Sequence, residues 1–225
     1  MYFTVFLICS ILESIGMFST MLATFRLRLR DYWQPFMVIA VLASSTSFLL
    51  RDVLMIQDIA PLVLLVQFVI LIRVLLRTNW LYAGIMAVTG LVQLVLLQGI
   101  IYLVLDFAGL YPAEHIKNHI PWVMHGFQVG SFIVMVALAR WMYARKLGFT
   151  FISFGEKARI NFKHNVNITL SVLVYVSIIG AGCLYIYLNL TAMLIFCAIA
   201  AAILISIIRQ CIEKEKMQIQ RTDWE

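Results

Sequence analysis

The sequence is a series of apolar runs, each about as long as a membrane-spanning helix, separated by short polar segments. The longest polar segment, residues 140–165, carries six basic residues against a single acid, Glu156. In helical membrane proteins, basic residues gather in the loops on the cytoplasmic side. We therefore predict that this segment is cytoplasmic and that the apolar runs on either side of it alternate across a membrane.

The composition and the charge agree with this prediction. Hydrophobic residues make up 63% of the chain and the mean hydropathy is +0.97, which is beyond the range of soluble domains. The net charge of +6 comes from bases in the loops between apolar runs, so no nucleic-acid partner is predicted. The four cysteines lack the spacing of metal ligands, and neither a metal nor another cofactor is predicted.

Seven apolar runs are long enough for a span of about 20 residues, or for a shorter span whose polar ends snorkel. They are residues 2–25, 35–50, 60–76, 80–105, 121–143, 166–188 and 191–208. With the N-terminus outside, all of the 17 Lys and Arg residues except Arg51 and Lys117 fall on the cytoplasmic side. The predicted fold is an all-α, multi-pass bundle of about seven transmembrane helices in the cell membrane, with a cytoplasmic C-terminus.

This topology divides the chain into three parts. Residues 1–143 form a five-helix bundle, residues 144–165 a cytoplasmic linker, and residues 166–225 a two-helix hairpin with a helical tail. In the linker, aromatic residues alternate with basic ones, which is typical of a segment that lies among lipid headgroups. These aromatic residues are Phe149, Phe151, Phe154 and Phe162. We predict that the linker is an interfacial hinge.

Polar side chains inside the predicted spans are the candidate ligand-binding residues, because such groups are costly in hydrocarbon and usually face the bundle interior or a cavity. Glu13 is the only carboxylate deep inside a predicted span. The other candidates are Gln67, Gln93, Gln98, His125 and Gln128. We predict that they line a pocket that opens outward and binds a peptide or a small molecule. The alternative is that these side chains only bridge helices.

The last predicted helix carries a second pattern. Ile205, Ile212 and Ile219 recur at intervals of seven residues, and Ile208 occupies the intervening d position. This spacing predicts a parallel coiled coil that passes a signal to a second copy of the chain or to a separate partner. An ordinary amphipathic end with snorkelling basic residues is the alternative. The chain has no phosphate-binding loop, HExxH or GxSxG motif, and we predict no enzyme activity.

Short motifs are spread over most of residues 1–215. They are Leu12-Glu13-Ser14, Asp31-Tyr32-Trp33, Phe48-Leu49-Leu50-Arg51, Ile59-Ala60-Pro61-Leu62, Asn79-Trp80-Leu81-Tyr82-Ala83, Thr89-Gly90 and Gly148-Phe149-Thr150-Phe151. This set resembles the polytopic membrane sensor regions of Gram-positive histidine kinases of the accessory-gene-regulator type, peptide receptors whose kinase half has a GHKL-type ATPase. The resemblance does not extend to the kinase domains, so the chain is either a stand-alone membrane protein or part of a kinase.

Two functions remain open at this point. The resemblance implies a membrane sensor of a two-component system, which detects an external or membrane ligand and moves its helices against a dimer, kinase or response partner. The alternative is a small-solute transporter or a membrane substrate-binding subunit that uses Glu13 and the glutamines as its site.

Overall fold

The computed structural model describes residues 2–56, 59–109, 121–149, 195, 198–210 and 212. Their regular structure is helical, which confirms the predicted all-α class for this part of the chain. The helices are α1 (Tyr2–Thr24), α2 (Trp33–Phe48), α3 (Ala60–Leu75), α4 (Trp80–Phe107), α5 (Pro121–Ala144) and α6 (Ala198–Gln210). A 3-10 turn, Leu29–Asp31, lies between α1 and α2, and a π-helical turn, Leu49–Val53, extends α2.

Within these residues, four helices are long and apolar enough to cross a membrane: Phe3–Thr24, Trp33–Val53, Trp80–Leu105 and His125–Ala144. The 16 residues of α3 extend about 24 Å, less than the roughly 30 Å hydrocarbon core of a bilayer. The outer faces are apolar, as Val63, Val66, Ile70 and Val74 of α3 illustrate, since all four are exposed. Soluble proteins rarely expose such a stripe. These features indicate a membrane protein.

Several of the predicted segments cannot be compared with the structure. The sixth predicted span, residues 166–188, lies outside the described residues, and so does the linker from residue 150 onward. The seventh predicted span, residues 191–208, is described only at residue 195 and from residue 198 onward, where it forms the first part of α6. The described residues therefore contain four helices of spanning length, where the whole sequence predicts seven spans.

The second span is longer than the sequence predicts. It begins at Trp33, so Pro35 lies in the first helical turn, where a missing N–H removes no helical hydrogen bond. At its other end the π-helical turn continues past the predicted end at Leu50, because the N–H of Leu54 donates to the carbonyl of Leu49 at 2.8 Å. The charged residues Arg51 and Asp52 are consequently part of the helix.

Helix α1 lies at the centre of the bundle and packs against α2, α4 and α5. Every residue from 16 to 25 is buried, and so is every residue from 81 to 90 in the first part of α4. The ring of Phe18 contacts Phe36 of α2 and Phe68 of α3, with centroid separations of 4.7 and 5.6 Å. A helix that is apolar on all sides is buried on all sides, and this half of α1 shows that relation.

Helices α1 and α5 run parallel. Near their N-termini the rings of Phe6 and His125 are 6.4 Å apart, and near their C-termini the hydroxyl of Tyr143 donates to the carbonyl of Leu27. Gly16 permits the close approach between them, because a Cβ there would lie 3.2 Å from the Cα of Phe132. Small residues at such contacts let transmembrane helices pack closely.

The two helices also end in the same way. The N–H of Leu27 donates to the carbonyl of Leu22, and the N–H of Arg26 donates to that of Ala23, which is a Schellman motif. Helix α5 repeats this pattern with Lys146 in the place of Arg26. Both basic residues have positive φ, 51° and 55°, at a position usually occupied by glycine.

Beyond these ends, residues 24–27 and 143–149 contact each other in what we call the α1–α5 junction. The N–H of Phe149 donates to the carbonyl of Thr24 at 2.8 Å, and Nη2 of Arg26 donates to the carbonyl of Lys146 at 2.6 Å. Gly148, with φ of 125°, provides the tight bend between these contacts. The junction fixes the relative position of the two parallel helices at this end.

Candidate ligand site at Glu13

Glu13 lies near the middle of α1, just before the fully buried stretch of residues 16–25. Both of its carboxylate oxygens accept hydrogen bonds from glutamine side chains. Oε1 accepts from Nε2 of Gln98 in α4, and Oε2 accepts from Nε2 of Gln128 in α5 at 2.9 Å. One carboxylate therefore connects three helices. A carboxylate that is partly buried needs hydrogen-bond donors. The two amides supply these donors, which the surrounding apolar side chains do not have.

His125 extends this connection along α5. Its Nδ1 is 3.3 Å from Oε1 of Gln128, and the two residues are three positions apart on one face of the helix. An amide oxygen only accepts, so Nδ1 carries the proton in this hydrogen bond. The Gln128 amide is thereby oriented with its nitrogen toward Glu13 and its oxygen toward His125. We call Glu13, Gln98, Gln128 and His125 the Glu13 cluster.

The hydroxyl groups of α1 near the cluster bond within their own helix. Ser14 donates to the carbonyl of Ser10 at 2.9 Å, and Ser19 donates to that of Ile15 at 2.7 Å. Bonds of this kind to the preceding turn satisfy a hydroxyl without a partner from another helix. Near this level of α1, the hydrogen bonds described to α4 and α5 are those accepted by Glu13.

Two of the predicted site residues lie elsewhere. Nε2 of Gln93 donates to Oγ1 of Thr24 at 2.7 Å, at the junction end of α1. Gln67 belongs to α3 and is partly buried, and within the described residues its Oε1 has no hydrogen-bond partner. The six predicted site residues thus separate into the Glu13 cluster and two glutamines outside it.

The residues of the predicted output and linker are only partly described. On α6, Ile205 is 56% exposed and Ile208 is partly buried. Ile212, beyond the end of α6, is 40% exposed, and Ile219 lies outside the described residues. Phe149 is partly buried against the hydrophobic core. The other predicted interfacial residues, Phe151, Phe154 and Phe162, lie outside the described residues.

Sequence reasoning did not include Arg51 among the site residues, although the turn that carries it follows Phe48, which packs against Phe3 and Phe6 of α1. The sequence does set Arg51 apart, because Arg51 and Lys117 are the two basic residues that the predicted topology places outside. The π-helical turn that holds Arg51 has no marker in the sequence, and it makes this residue part of α2 instead of a loop.

The fold and the cluster define a helical membrane protein with a polar site among its helices. The site offers a carboxylate, two amides and an imidazole, groups that bind hydrogen-bond donors and cations. In the described ranges, no three His, Cys, Asp or Glu side chains are grouped so that they could hold a metal ion. Comparison with protein families, with curated proteins and with solved structures finds no match for this chain.

Proposed function

We propose that this protein is a multi-pass membrane sensor in which ligand binding at the Glu13 cluster moves helices against each other. The observation that carries the proposal is the sharing of one carboxylate by Gln98 of α4 and Gln128 of α5. In the proposed seven-span topology the N-terminus is outside. The cluster then lies toward the outer side and the α1–α5 junction, with Arg26 and Lys146, lies at the cytoplasmic face.

The hydrogen bonds of the Glu13 cluster can adopt two arrangements. In one arrangement, which the structure shows, both oxygens of Glu13 accept hydrogen bonds from amides of other helices. A ligand that brings its own donors replaces Gln98 or Gln128 and releases α4 or α5 from α1. A ligand shifts such an equilibrium only by its difference in affinity between the two arrangements, and direct competition for one carboxylate provides that difference.

The parallel pair α1 and α5 offers a route from the cluster to the cytoplasm. The helices are in close contact at Gly16 and are joined again at the junction by the hydrogen bond from Phe149 to Thr24. Interfaces of this kind amplify shifts of about 1–2 Å because they are bistable and not continuously deformable. A displacement of α5 at Gln128 is therefore expected to alter the junction.

The burial of α6 supports an output through a dimer or a separate kinase or response partner. Ala200, Ile203 and Ile207 belong to the hydrophobic core of the bundle, whereas Ile205 and Ile212 are exposed. The helix thus has one face in the bundle and leaves Ile205, the first isoleucine of the seven-residue pattern, exposed for another contact. Together with the resemblance to kinase sensor regions, this arrangement favours signalling.

A solute transporter is the second candidate, because carboxylates inside membrane spans often lie on ion and solute paths. Transporters commonly bind substrate between discontinuous helices. Helices α1, α3, α4 and α5 run without a break in the described ranges, which favours sensing. Accumulation of a solute in proteoliposomes that depends on Glu13 would establish transport, whereas a sensor is expected to bind ligand without accumulating it.

The sensor proposal can be tested without knowing the ligand. Spin labels at position 28, just beyond the junction, and at position 145, within it, are both exposed. They report the separation of α1 and α5 by pulsed electron–electron resonance in lipid nanodiscs. Glu13→Gln keeps the side-chain length but removes the charge and one of the two acceptor oxygens. We expect this change to shift the distance by about 2 Å or to broaden its distribution, as released helices move.

The matched control is Gln67→Leu, which removes a polar side chain of α3 outside the cluster. It is expected to leave the distance distribution unchanged. If Glu13→Gln also leaves the distribution unchanged, or if both variants alter it equally, the cluster does not control the junction and the sensor proposal is wrong.

A further inference from the structure

The end of α2 brings a positively charged side chain near the Glu13 cluster. Arg51 lies in the π-helical turn Leu49–Val53 and is partly buried. Within the described residues its buried Nε has no hydrogen-bond partner. A buried donor without an acceptor is unfavourable, and π-helical turns are frequent at functional sites. Among the described residues, Arg51 thus has a buried N–H that is available to an external acceptor.

Aromatic contacts connect this turn to the cluster. Phe48, one turn before Arg51, packs edge-on against Phe3 of α1 at 4.6 Å and also contacts Phe6 at 5.5 Å. Phe6 in turn faces His125 of the cluster. The π-helical turn that carries Arg51 therefore adjoins the first turns of α1, the helix that carries Glu13.

We infer that the ligand of this site is a small zwitterion, whose ammonium group binds Glu13 and whose carboxylate binds Arg51. The inference rests on the proposed function, because it names the ligand class for the same cluster. An ammonium group has donors that compete with Gln98 and Gln128, and a guanidinium can bind a carboxylate through two hydrogen bonds.

The charges explain why neither half of the ligand alone is sufficient. A cation without an acceptor leaves the donor of Arg51 unsatisfied, and an anion without a donor is repelled by Glu13. A zwitterion pairs both protein charges and adds no net charge to a site inside a membrane protein, where an unpaired ion is unfavourable. The rings of Phe3, Phe6 and Phe48 provide an apolar surface for the remainder of such a ligand.

Three matched pools test this inference on the full chain in nanodiscs. The first contains α-amino acids and ω-amino acids, the second contains their carboxamides, which keep the ammonium group, and the third contains their N-acetyl derivatives, which keep the carboxylate. Binding is measured by the rise in Tm and by titration. We expect the first pool to bind at least tenfold more tightly than either of the others.

Variants then assign the two charges. Arg51→Gln is expected to remove the advantage of the amino acids over the carboxamides, and Glu13→Gln to remove their advantage over the N-acetyl derivatives. Arg140→Gln, an exposed basic residue of α5, serves as the control and is expected to preserve both advantages.

Three results would overturn the inference that the ligand is a zwitterion: no binding of the amino-acid pool, equal binding of amino acids and carboxamides, or binding of amino acids that is unaffected by Arg51→Gln. Each leaves the sensor proposal to the spin-label experiment, which needs no ligand. Conversely, a zwitterion can bind through both residues while Glu13→Gln leaves the junction distance unchanged. That result would support the ligand class and contradict the sensor proposal.

Discussion

The two halves of the bundle along α1 are built differently. In the tight half, residues 16–25 and residues 81–90 are buried without exception, and glycines bring the helices close together. In the polar half, Glu13 and Gln98 are only partly buried and the helices are joined by side-chain hydrogen bonds. Between transmembrane helices, where lipid is as apolar as the core, close contact is the main source of stability and a side-chain hydrogen bond averages about 0.6 kcal/mol.

This difference suggests a division of roles. The tight half determines the shape of the bundle, because any change in it disturbs many contacts. The polar half can exchange hydrogen-bond partners at a small cost, which is what a ligand-responsive region requires. Substitutions in the tight half should therefore lower stability strongly, whereas isosteric changes in the cluster should alter the junction distance with little loss of stability.

The largest effect is expected from Gly148→Ala at the junction. A Cβ at this position would lie 2.6 Å from the carbonyl oxygen of Ala23 and 2.8 Å from that of Thr24, and φ of 125° is unfavourable for any L side chain. We expect the free energy of unfolding to fall by about 3 kcal/mol, through backbone strain and loss of the hydrogen bond from Phe149. Unfolding by sodium dodecyl sulfate in mixed micelles measures this change.

Gly130→Ala in α5 is the matched control for Gly148→Ala. No atom lies within 4 Å of the position that its Cβ would occupy, so alanine should be neutral or more stable by up to about 1 kcal/mol. If the two variants unfold alike, the junction does not hold the ends of α1 and α5 together. The proposed difference between the tight half and the polar half then loses its main support.

Gly16→Ala should have a smaller effect. Its Cβ would lie 3.2 Å from the Cα of Phe132 and 3.3 Å from the side chain of Met135, so α5 must move away by a few tenths of an ångström. We expect a loss of about 1–2 kcal/mol in the same unfolding measurement. Gly90→Ala, whose nearest atoms at 3.4 Å are in the side chain of Met21, should cost less than Gly16→Ala. The reverse order would mean that α1 packs more closely on α4 than on α5.

Much of the bundle follows from the sequence because apolar runs and charged loops directly determine helices in a membrane. Four of the six predicted site residues, Glu13, Gln98, His125 and Gln128, lie together in the structure. Gln93 does not join them, because depth along each helix says nothing of how neighbouring helices are offset. That offset depends on close contacts such as that of Gly90 with Met21.

Arg51 and the junction are harder to foresee for a different reason. Both depend on backbone geometry that ordinary residues adopt without a sequence signature. A π-helical turn carries Arg51, and positive φ at Arg26 and Lys146 ends two helices where glycine is the usual residue. Reading the sequence for glycine would place neither helix end correctly.

The smallest effect is expected from Lys146→Gly. This substitution separates the backbone geometry of the junction from its charge. Relief of the left-handed conformation is worth about 1–2 kcal/mol, and the added flexibility of glycine costs about 0.5–1 kcal/mol. We expect a net gain of about 0.5 kcal/mol in the free energy of unfolding, because the carbonyl that accepts from Arg26 remains. Arg140→Gly, inside α5, should instead lose about 1 kcal/mol. Destabilisation by Lys146→Gly would show that the side chain of Lys146 contributes to the junction. The junction would then depend on charge, as the polar half does.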